Sequence, residues 1–276
     1  MQKPAFFNLI FNGVALLLGL TLVVYIAHSA FVSTTTAPCR ERYPAPILFS
    51  LKSSSGALLT PIELQARVGQ PEWGITENAK IVAEGPAGAA LEVKLAPVTN
   101  AEPEAQRTTG VNFRWRPSGA NQATSACLVY SVWVPEGFPF NDGGLLPGIY
   151  GGDPSAISEL NPKGLGSRIK WRLDGVAELE AAGTGGEYVT LNQQGYSLPH
   201  GRWTHVEQEV VLNTPGEANG AARLWFDGQL AAEDTALTFR KDAKETFSGV
   251  LASIGYIRAP GSTGLLRFSP FELAWR

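Results

Sequence analysis

Residues 126–134 read ACLVYSVWV, and this stretch decides the fold class of the chain. It is rich in β-branched and aromatic residues and is followed by the turn formers Pro135 and Gly137, a combination typical of a β-strand. Strand-like patterns recur between turn formers at 91–95, 111–115, 168–173, 203–212, 222–226 and 265–273. No long amphipathic helix competes with them.

Two dipeptides indicate how consecutive strands are joined. Asn219-Gly220 and Asp227-Gly228 favour hairpin turns, because both residue types adopt positive φ at low cost. Together with the strand patterns they predict an all-β domain over residues 46–276. We expect an antiparallel β-sandwich or jelly roll of the concanavalin-like type.

The N-terminal region differs in character, because residues 5–32 contain no charged side chain. As a helix this stretch would reach about 40 Å, more than the roughly 30 Å of a bilayer core. It is longer than the apolar part of a cleavable signal peptide, so it predicts one N-terminal transmembrane α-helix that acts as an uncleaved signal anchor. Residues 1–4 would form a short tail and residues 33–45 a stem.

The residues flanking the span give a weak positive-inside bias. We expect a single-pass protein of the inner or plasma membrane, with its N-terminus in the cytoplasm and its domain periplasmic or extracellular. Within the span, Asn8, Asn12, Ala15 and Gly19 share one helical face, and such amides and small residues favour contact with other membrane helices. They predict an integral-membrane protein complex as partner, although Asn8 and Asn12 would also fit a hydrated inner interface.

Cys39 and Cys127 are the only cysteines. In an exported domain they could close one disulfide between stem and domain, or they could be two unrelated thiols, and the sequence leaves both open. The net charge of −3 and the lack of a basic run exclude a nucleic-acid-binding surface of the usual kind. No metal-ligand spacing occurs, so neither a metal nor a cofactor is predicted.

One predicted strand carries a row of cations. Arg168, Lys170 and Arg172 would share one face, with Ile169 and Trp171 on the other. On an open groove these cations would bind an acidic sugar, a phosphate or an acidic protein surface.

Two carboxylates on the next strand suggest an alternative. Glu178 and Glu180 would pair with the cations on a solvated sheet face. The two carboxylates would also lie about 6.6 Å apart. That spacing raises the possibility of a two-carboxylate glycosidase site, although such pairs usually come from different strands across a cleft.

Several segments in order resemble polysaccharide lyase family 14, from about residue 126 to the C-terminus. They read YSVWVPEGF (130–138), GGLLPGIYGG (143–152), RIKWR (168–172), GRW (201–203), VLN (211–213) followed by Asn219-Gly220, and LWFDG (224–228). The resemblance implies a β-jelly roll that cleaves acidic polysaccharides such as alginate or glucuronan by β-elimination, in a groove on a concave sheet.

That reaction needs a cation to neutralise the uronate carboxylate, and an acid and a base, commonly tyrosines, to move protons. By resemblance, Arg168 keeps the family arginine, but the family lysine corresponds to Leu145. The expected serine aligns with Gly166, next to Ser167. The family's Tyr-x-Tyr pair falls within 178–182, which reads ELEAA. The resemblance therefore implies a lyase scaffold without confident catalytic residues.

Three functions follow from these observations. The leading hypothesis is a non-catalytic accessory or structural subunit of an integral-membrane complex. The second is an acidic-polysaccharide-binding module that uses Arg168, Lys170 and Arg172. The third is an active lyase with rearranged catalytic groups, in which Tyr150, Tyr188 or Tyr196 would transfer the protons.

Overall fold

The computed structural model describes residues 18–23, 37–69, 72–95, 110–140, 143–152, 164–185, 187–257 and 263–276. The chain forms two compact units, Met1–Ala37 and Pro38–Arg276. In the first, residues 18–23 are helical and Gly19 is exposed. No helix among the described residues is both long enough and apolar enough to cross a membrane. Most of the predicted span, with Asn8, Asn12 and Ala15, lies outside the described residues, so the anchor stays a prediction.

The second unit is mostly β structure. Its helices are α1 (Cys39–Arg42), α2 (Pro61–Val68) and α3 (Ile75–Asn78), with 3-10 turns at Ala120–Gln122 and Leu173–Gly175. Its strands are β1 (Ile47–Leu48), β2 (Ala79–Val82), β3 (Ala90–Leu95), β4 (Val111–Trp115), β5 (Ser125–Trp133), β6 (Gly144–Gly152), β7 (Gly164–Trp171), β8 (Ala177–Ala182), β9 (Tyr188–Leu191), β10 (Trp203–Val211), β11 (Gly220–Phe226), β12 (Gln229–Leu237), β13 (Gly249–Tyr256), β14 (Gly264–Phe268) and β15 (Glu272–Trp275).

The strands form two antiparallel sheets. The nine-stranded sheet has the order β12-β11-β10-β5-β14-β3-β2, and β15 pairs with both β5 and β1. The six-stranded sheet has the order β4-β13-β6-β7-β8-β9. One hydrophobic core contains inward side chains of both sheets, for example Leu128 and Val206 from one and Ile169 and Leu179 from the other. Because side chains alternate along a strand, each sheet keeps one face for this core. The predicted antiparallel sandwich is confirmed.

Most predicted strands agree with the structure, but the segment 168–173 belongs to a strand that begins at Gly164 and ends at Trp171, and Leu173 lies in a 3-10 turn. The other difference lies near the C-terminus. The single segment 265–273 is two strands, β14 and β15, separated by residues 269–271. Pro270 lies in that gap and has no N–H to donate to a ladder, which explains why pairing stops there. β14 and β15 then pair with different parts of β5.

Of the two predicted hairpin turns, one is confirmed. Asp227 and Gly228 join β11 to β12 with φ of 50° and 79°. Around Asn219-Gly220, β10 and β11 do pair as an antiparallel hairpin, but the tight turn is wrong, because Gly220 already belongs to β11 and β10 ends at Val211. Asn219 instead organises this longer loop, since its Oδ1 accepts a hydrogen bond of 2.8 Å from the Thr214 N–H.

The segment that begins the second unit lies on the outer face of the nine-stranded sheet. Cys39 and Cys127 form a disulfide, which settles the alternative that the sequence left open. The Tyr43 hydroxyl donates to Glu209 at 2.9 Å, and Arg42 pairs with the same carboxylate at 2.8 Å. The part of the predicted stem from residue 38 onward therefore packs against the domain.

Candidate functional site on the six-stranded sheet

The outer face of the six-stranded sheet brings together most of the predicted site residues. Strand β7 alternates, so Ile169 and Trp171 are buried in the core and Arg168 and Lys170 lie on the outer face. The register pairs Arg168 with Glu180 and Lys170 with Glu178 across β7 and β8. We call Arg168, Lys170 and Glu180 the outer-face cluster.

The cations of this face are engaged by carboxylates of the neighbouring strand. Arg168 Nε lies 2.7 Å from Glu180 Oε2, and Lys170 Nζ lies 3.1 Å from Glu180 Oε1. Arg172, just past the end of β7, pairs with Glu178. This is the paired arrangement predicted as the alternative to an open cationic groove.

The members of these pairs differ in exposure. The Glu180 side chain is fully buried, and those of Arg168 and Lys170 are 15% and 16% exposed. Burial raises the pKa of the Glu180 carboxyl, but Arg168, the Tyr188 hydroxyl and Lys170 outweigh it, so the pKa lies below its usual range. Glu180 is therefore an ionised buried carboxylate with two cationic partners. Among the described residues, Glu178 forms an ion pair with Arg172, whose side chain is about half exposed.

Two tyrosines lie beside the outer-face cluster. Tyr150 and Tyr188 pack together with Ala182 and Leu251 in a small apolar group. The Tyr150 hydroxyl accepts a hydrogen bond of 2.9 Å from Arg116 Nε. Burial, together with the carboxylate of Glu180, raises the pKa of Tyr188 far above its usual value. Tyr188 therefore stays protonated at neutral pH and is a hydrogen-bond donor rather than a base.

The third tyrosine lies elsewhere. Tyr196 stacks on Phe226, a core residue of the nine-stranded sheet, at 4.1 Å between ring centroids. Its hydroxyl is 3.5 Å from Arg202, which pairs with Asp227. Tyr196 is therefore not part of the face that carries Arg168.

At Gly166, where the resemblance implies a serine, the backbone conformation leaves no room for a side chain. Gly166 has φ of 139°, and a Cβ there would lie 2.0 Å from the Ile149 carbonyl oxygen. Ser167 does not replace the missing side chain, because it faces the core, where its hydroxyl is 3.5 Å from Gln208 Oε1. A serine hydroxyl is thus absent from this position of the face.

The register also shows what the sequence missed. Leu145, where the resemblance implies a lysine, lies directly across from Lys170. Ala182, at the end of the segment where the tyrosine pair was expected, lies across from Tyr188. Each of these substituted positions thus faces a residue of the missing type on the adjacent strand. The strand pattern of 188–191 was the only available signal, and it is too short to give a register.

One group of metal-type ligands comes together within the described part of the chain. It consists of Cys39, Cys127 and Glu207, all buried. Both sulfur atoms are used by the disulfide, so this group offers no thiolate to a cation.

Comparisons with known proteins agree with this architecture. The family model of polysaccharide lyase 14 matches residues 84–256. No individually curated protein matches the chain. Similar solved structures include a PL-14 alginate lyase from Aplysia kurodai, with TM-score 0.61, 19% identity, and coverage of 77% of this chain and 93% of that chain.

Two more structures share the fold. The alginate lyase vAL-1 from Chlorella virus has TM-score 0.60 and 17% identity, and covers 72% of this chain and 90% of that chain. An endo-β-1,4-glucuronan lyase from the fungus Trichoderma reesei has TM-score 0.52 and 10% identity, with coverages of 76% and 90%. At these identities the likeness is one of fold.

Proposed function

The chain belongs to the polysaccharide lyase 14 family, and we propose that it is a non-catalytic member that serves as a membrane-anchored accessory subunit of an integral-membrane protein complex. The observation that carries this proposal is the outer-face cluster. Arg168, the retained family position, is bound by the chain's own Glu180 at 2.7 Å. A cation already neutralised by a buried carboxylate has little charge left for a uronate.

The proton-transfer groups support the same proposal. β-Elimination needs a base that can lose its proton near neutral pH. The pKa of Tyr188 is raised by burial and by Glu180. The Tyr188 phenol is therefore poorly suited to act as a base.

The compartment and the anchor rest on two further observations. A disulfide between Cys39 and Cys127 is typical of an oxidising compartment. The uncharged stretch 5–32 is long enough to span a bilayer, and its asparagines favour contact with partner helices. Both observations fit one arrangement. The domain would lie outside the cytoplasm, and the membrane helix would contact other membrane proteins.

The test has two parts. The full chain is extracted from its native membrane in mild detergent, and the particle is sized and analysed by mass spectrometry. We expect membrane proteins in constant ratio to the chain, and a lone particle would contradict the subunit role. The same preparation is incubated with alginate and with glucuronan, and the ultraviolet absorbance of unsaturated ends is followed. We expect none to form.

A rearranged lyase is the second candidate, favoured by the register of the face. Lys170 lies across from Leu145 and Tyr188 across from Ala182, so a lysine and a tyrosine are present one strand away from their family positions. If unsaturated ends form, Lys170→Ala and Tyr188→Phe should abolish their formation. Tyr196→Phe, remote from the face, should not.

A further inference from the structure

The Glu180 carboxylate has more cationic partners than a simple ion pair between neighbouring strands. Two cations from one strand converge on its carboxylate, whereas the neighbouring Glu178 has one partner, Arg172. Glu180 is fully buried, while its two partners keep some exposure. Part of each cationic side chain is thus open to solvent, although the carboxylate is not.

We infer that Glu180 is the internal occupant of a carboxylate-binding site, and that loss of its side chain opens this site to the carboxylate of an external acidic sugar. Arg168 and Lys170 are the cationic ligands of the site, and the Tyr188 hydroxyl is a third donor. This inference rests on the proposed function, since a scaffold that fills its cation pair with its own carboxylate leaves no charge for a substrate.

The residues around Glu180 show what its removal would leave. Across the sheet, Tyr150, Gly166, Ala182 and Tyr188 form one row of paired residues. The two residues in the middle of this row are small, and the tyrosines pack with Ala182 and Leu251. The adjacent row holds Arg168 and Glu180. Removal of the Glu180 side chain would therefore leave a cavity that borders Arg168, Lys170 and Tyr188.

The fit of Glu180 itself is incomplete. Lys170 Nζ lies 3.1 Å from Oε1, but the geometry of this contact falls short of a well-aligned hydrogen bond. A side chain tethered to β8 cannot turn freely to improve this geometry. An untethered carboxylate can align both of its oxygens with the two cations.

Removal of the Glu180 side chain should make the stability of the protein depend on an added anion. Two largely buried cations on one strand would lose their only shared carboxylate, which is strongly destabilising. A ligand that binds the folded state and restores the charge balance raises the stability of the variant. Acetate is the smallest probe that carries a carboxylate. D-glucuronate tests whether the site also accepts a carboxylate attached to a sugar ring.

The experiment measures the Tm of the full chain in detergent. It compares sodium chloride with sodium acetate and with sodium D-glucuronate, all at equal ionic strength. For Glu180→Ala, we expect both carboxylates to raise the Tm, by about 3–6 °C at a tenfold excess over Kd. Wild type should not respond. Glu180→Gln, which keeps the bulk of the side chain, should not respond either.

Glu178→Ala is the matched control, because it removes a carboxylate of the same strand and face whose partner, Arg172, is 53% exposed. Its Tm should be the same in chloride and in acetate. If Glu180→Ala does not fold in chloride, the yield of refolded protein in the same salts replaces the Tm.

The inference is overturned if neither carboxylate stabilises Glu180→Ala, or if Glu180→Gln or wild type responds equally. Stabilisation by acetate without glucuronate would overturn the assignment to an acidic sugar. These readouts are independent of the proposed function, which fails instead if the wild-type chain cleaves uronate polymers or has no membrane partner.

Discussion

Gly166 is a residue whose backbone leaves no space for a side chain. Its φ of 139° lies in a region that side chains rarely adopt, and a Cβ would lie 2.0 Å from the Ile149 carbonyl oxygen. The strand pair β6–β7 therefore excludes a serine here, the residue that the family resemblance implies. A serine at this position would require a shift of a paired strand.

We expect Gly166→Ser to lower the free energy of unfolding by at least about 1–3 kcal/mol, the usual cost of such a backbone conformation, with the clash adding to it. Urea denaturation measures the loss. Gly195→Ala is the control, because φ is 59° there and no heavy atom lies within 4 Å of the added Cβ, so about 1 kcal/mol is expected. An equal loss in both variants would contradict the role of the close approach.

His205 gives the domain a pH-dependent contribution to stability. Its Nε2 lies 3.2 Å from the buried Glu207 carboxylate, whose other oxygen accepts from the Arg40 backbone N–H at 2.7 Å. The hydrogen bond to Glu207 raises the pKa of His205; burial opposes this, and the carboxylates of Asp227 and Glu272 add to the rise. The protonated form is thus favoured in the folded state.

Because the folded-state pKa is raised, this contribution is fully present below the unfolded pKa of about 6.5 and is lost as the pH rises through the folded value. We expect wild type to lose more stability between about pH 5.5 and about pH 8.5 than His205→Gln does. Denaturant unfolding at both pH values measures the difference. Identical pH dependence in the two proteins would show that His205 does not contribute.

Among the elements, α1 is held by contacts with the strands beneath it. It has four residues and no side-chain cap. What holds it is the disulfide to β5 and the contacts of Arg42 and Tyr43 with Glu209 on β10. Glu209 is buried and also pairs with Arg223 at 2.8 Å. The segment therefore covers a carboxylate that would otherwise face solvent with fewer partners.

We expect the double variant Cys39→Ala/Cys127→Ala to lose about 3–5 kcal/mol of unfolding free energy. The bridge closes a loop with a sequence separation of 88, and long loops gain most from closure. Guanidinium unfolding of the variant and of oxidised wild type measures the loss.

Arg40→Ala serves as the control for side-chain contacts of the same helix. Its ion pair with Glu272 is more than a third exposed on both sides, so the expected loss is at most about 1 kcal/mol. If the double cysteine variant lost no more than Arg40→Ala, the bridge would not be what stabilises this segment.

For the whole molecule, the decisive question is whether residues 5–32 anchor the domain in a membrane. We expect the full chain to stay with membranes after extraction with alkaline carbonate, because residues 5–32 carry no charge over a length that spans a bilayer. A chain that begins at residue 38, the start of the second compact unit, should appear in the soluble fraction. Release of the full chain by carbonate would contradict the anchor.

The strands and the sandwich could be predicted because alternation of core and outer side chains is visible between close neighbours in the sequence. Arg168 and Lys170 on one side of β7, with Ile169 and Trp171 on the other, are an example. The split between β14 and β15 was missed, since a single proline decides it. The turn at Asn219-Gly220 was wrong because the loop makes its own side-chain hydrogen bonds.

The sequence by itself determined the fold class, the family resemblance and the uncharged N-terminal stretch, since all of these depend on residue type and local spacing. Only the tertiary structure decided that Cys39 pairs with Cys127, that Tyr188 lies across from Ala182, and that Glu180 is buried between two cations. These features depend on strand register and burial, which are set by packing between residues distant along the chain.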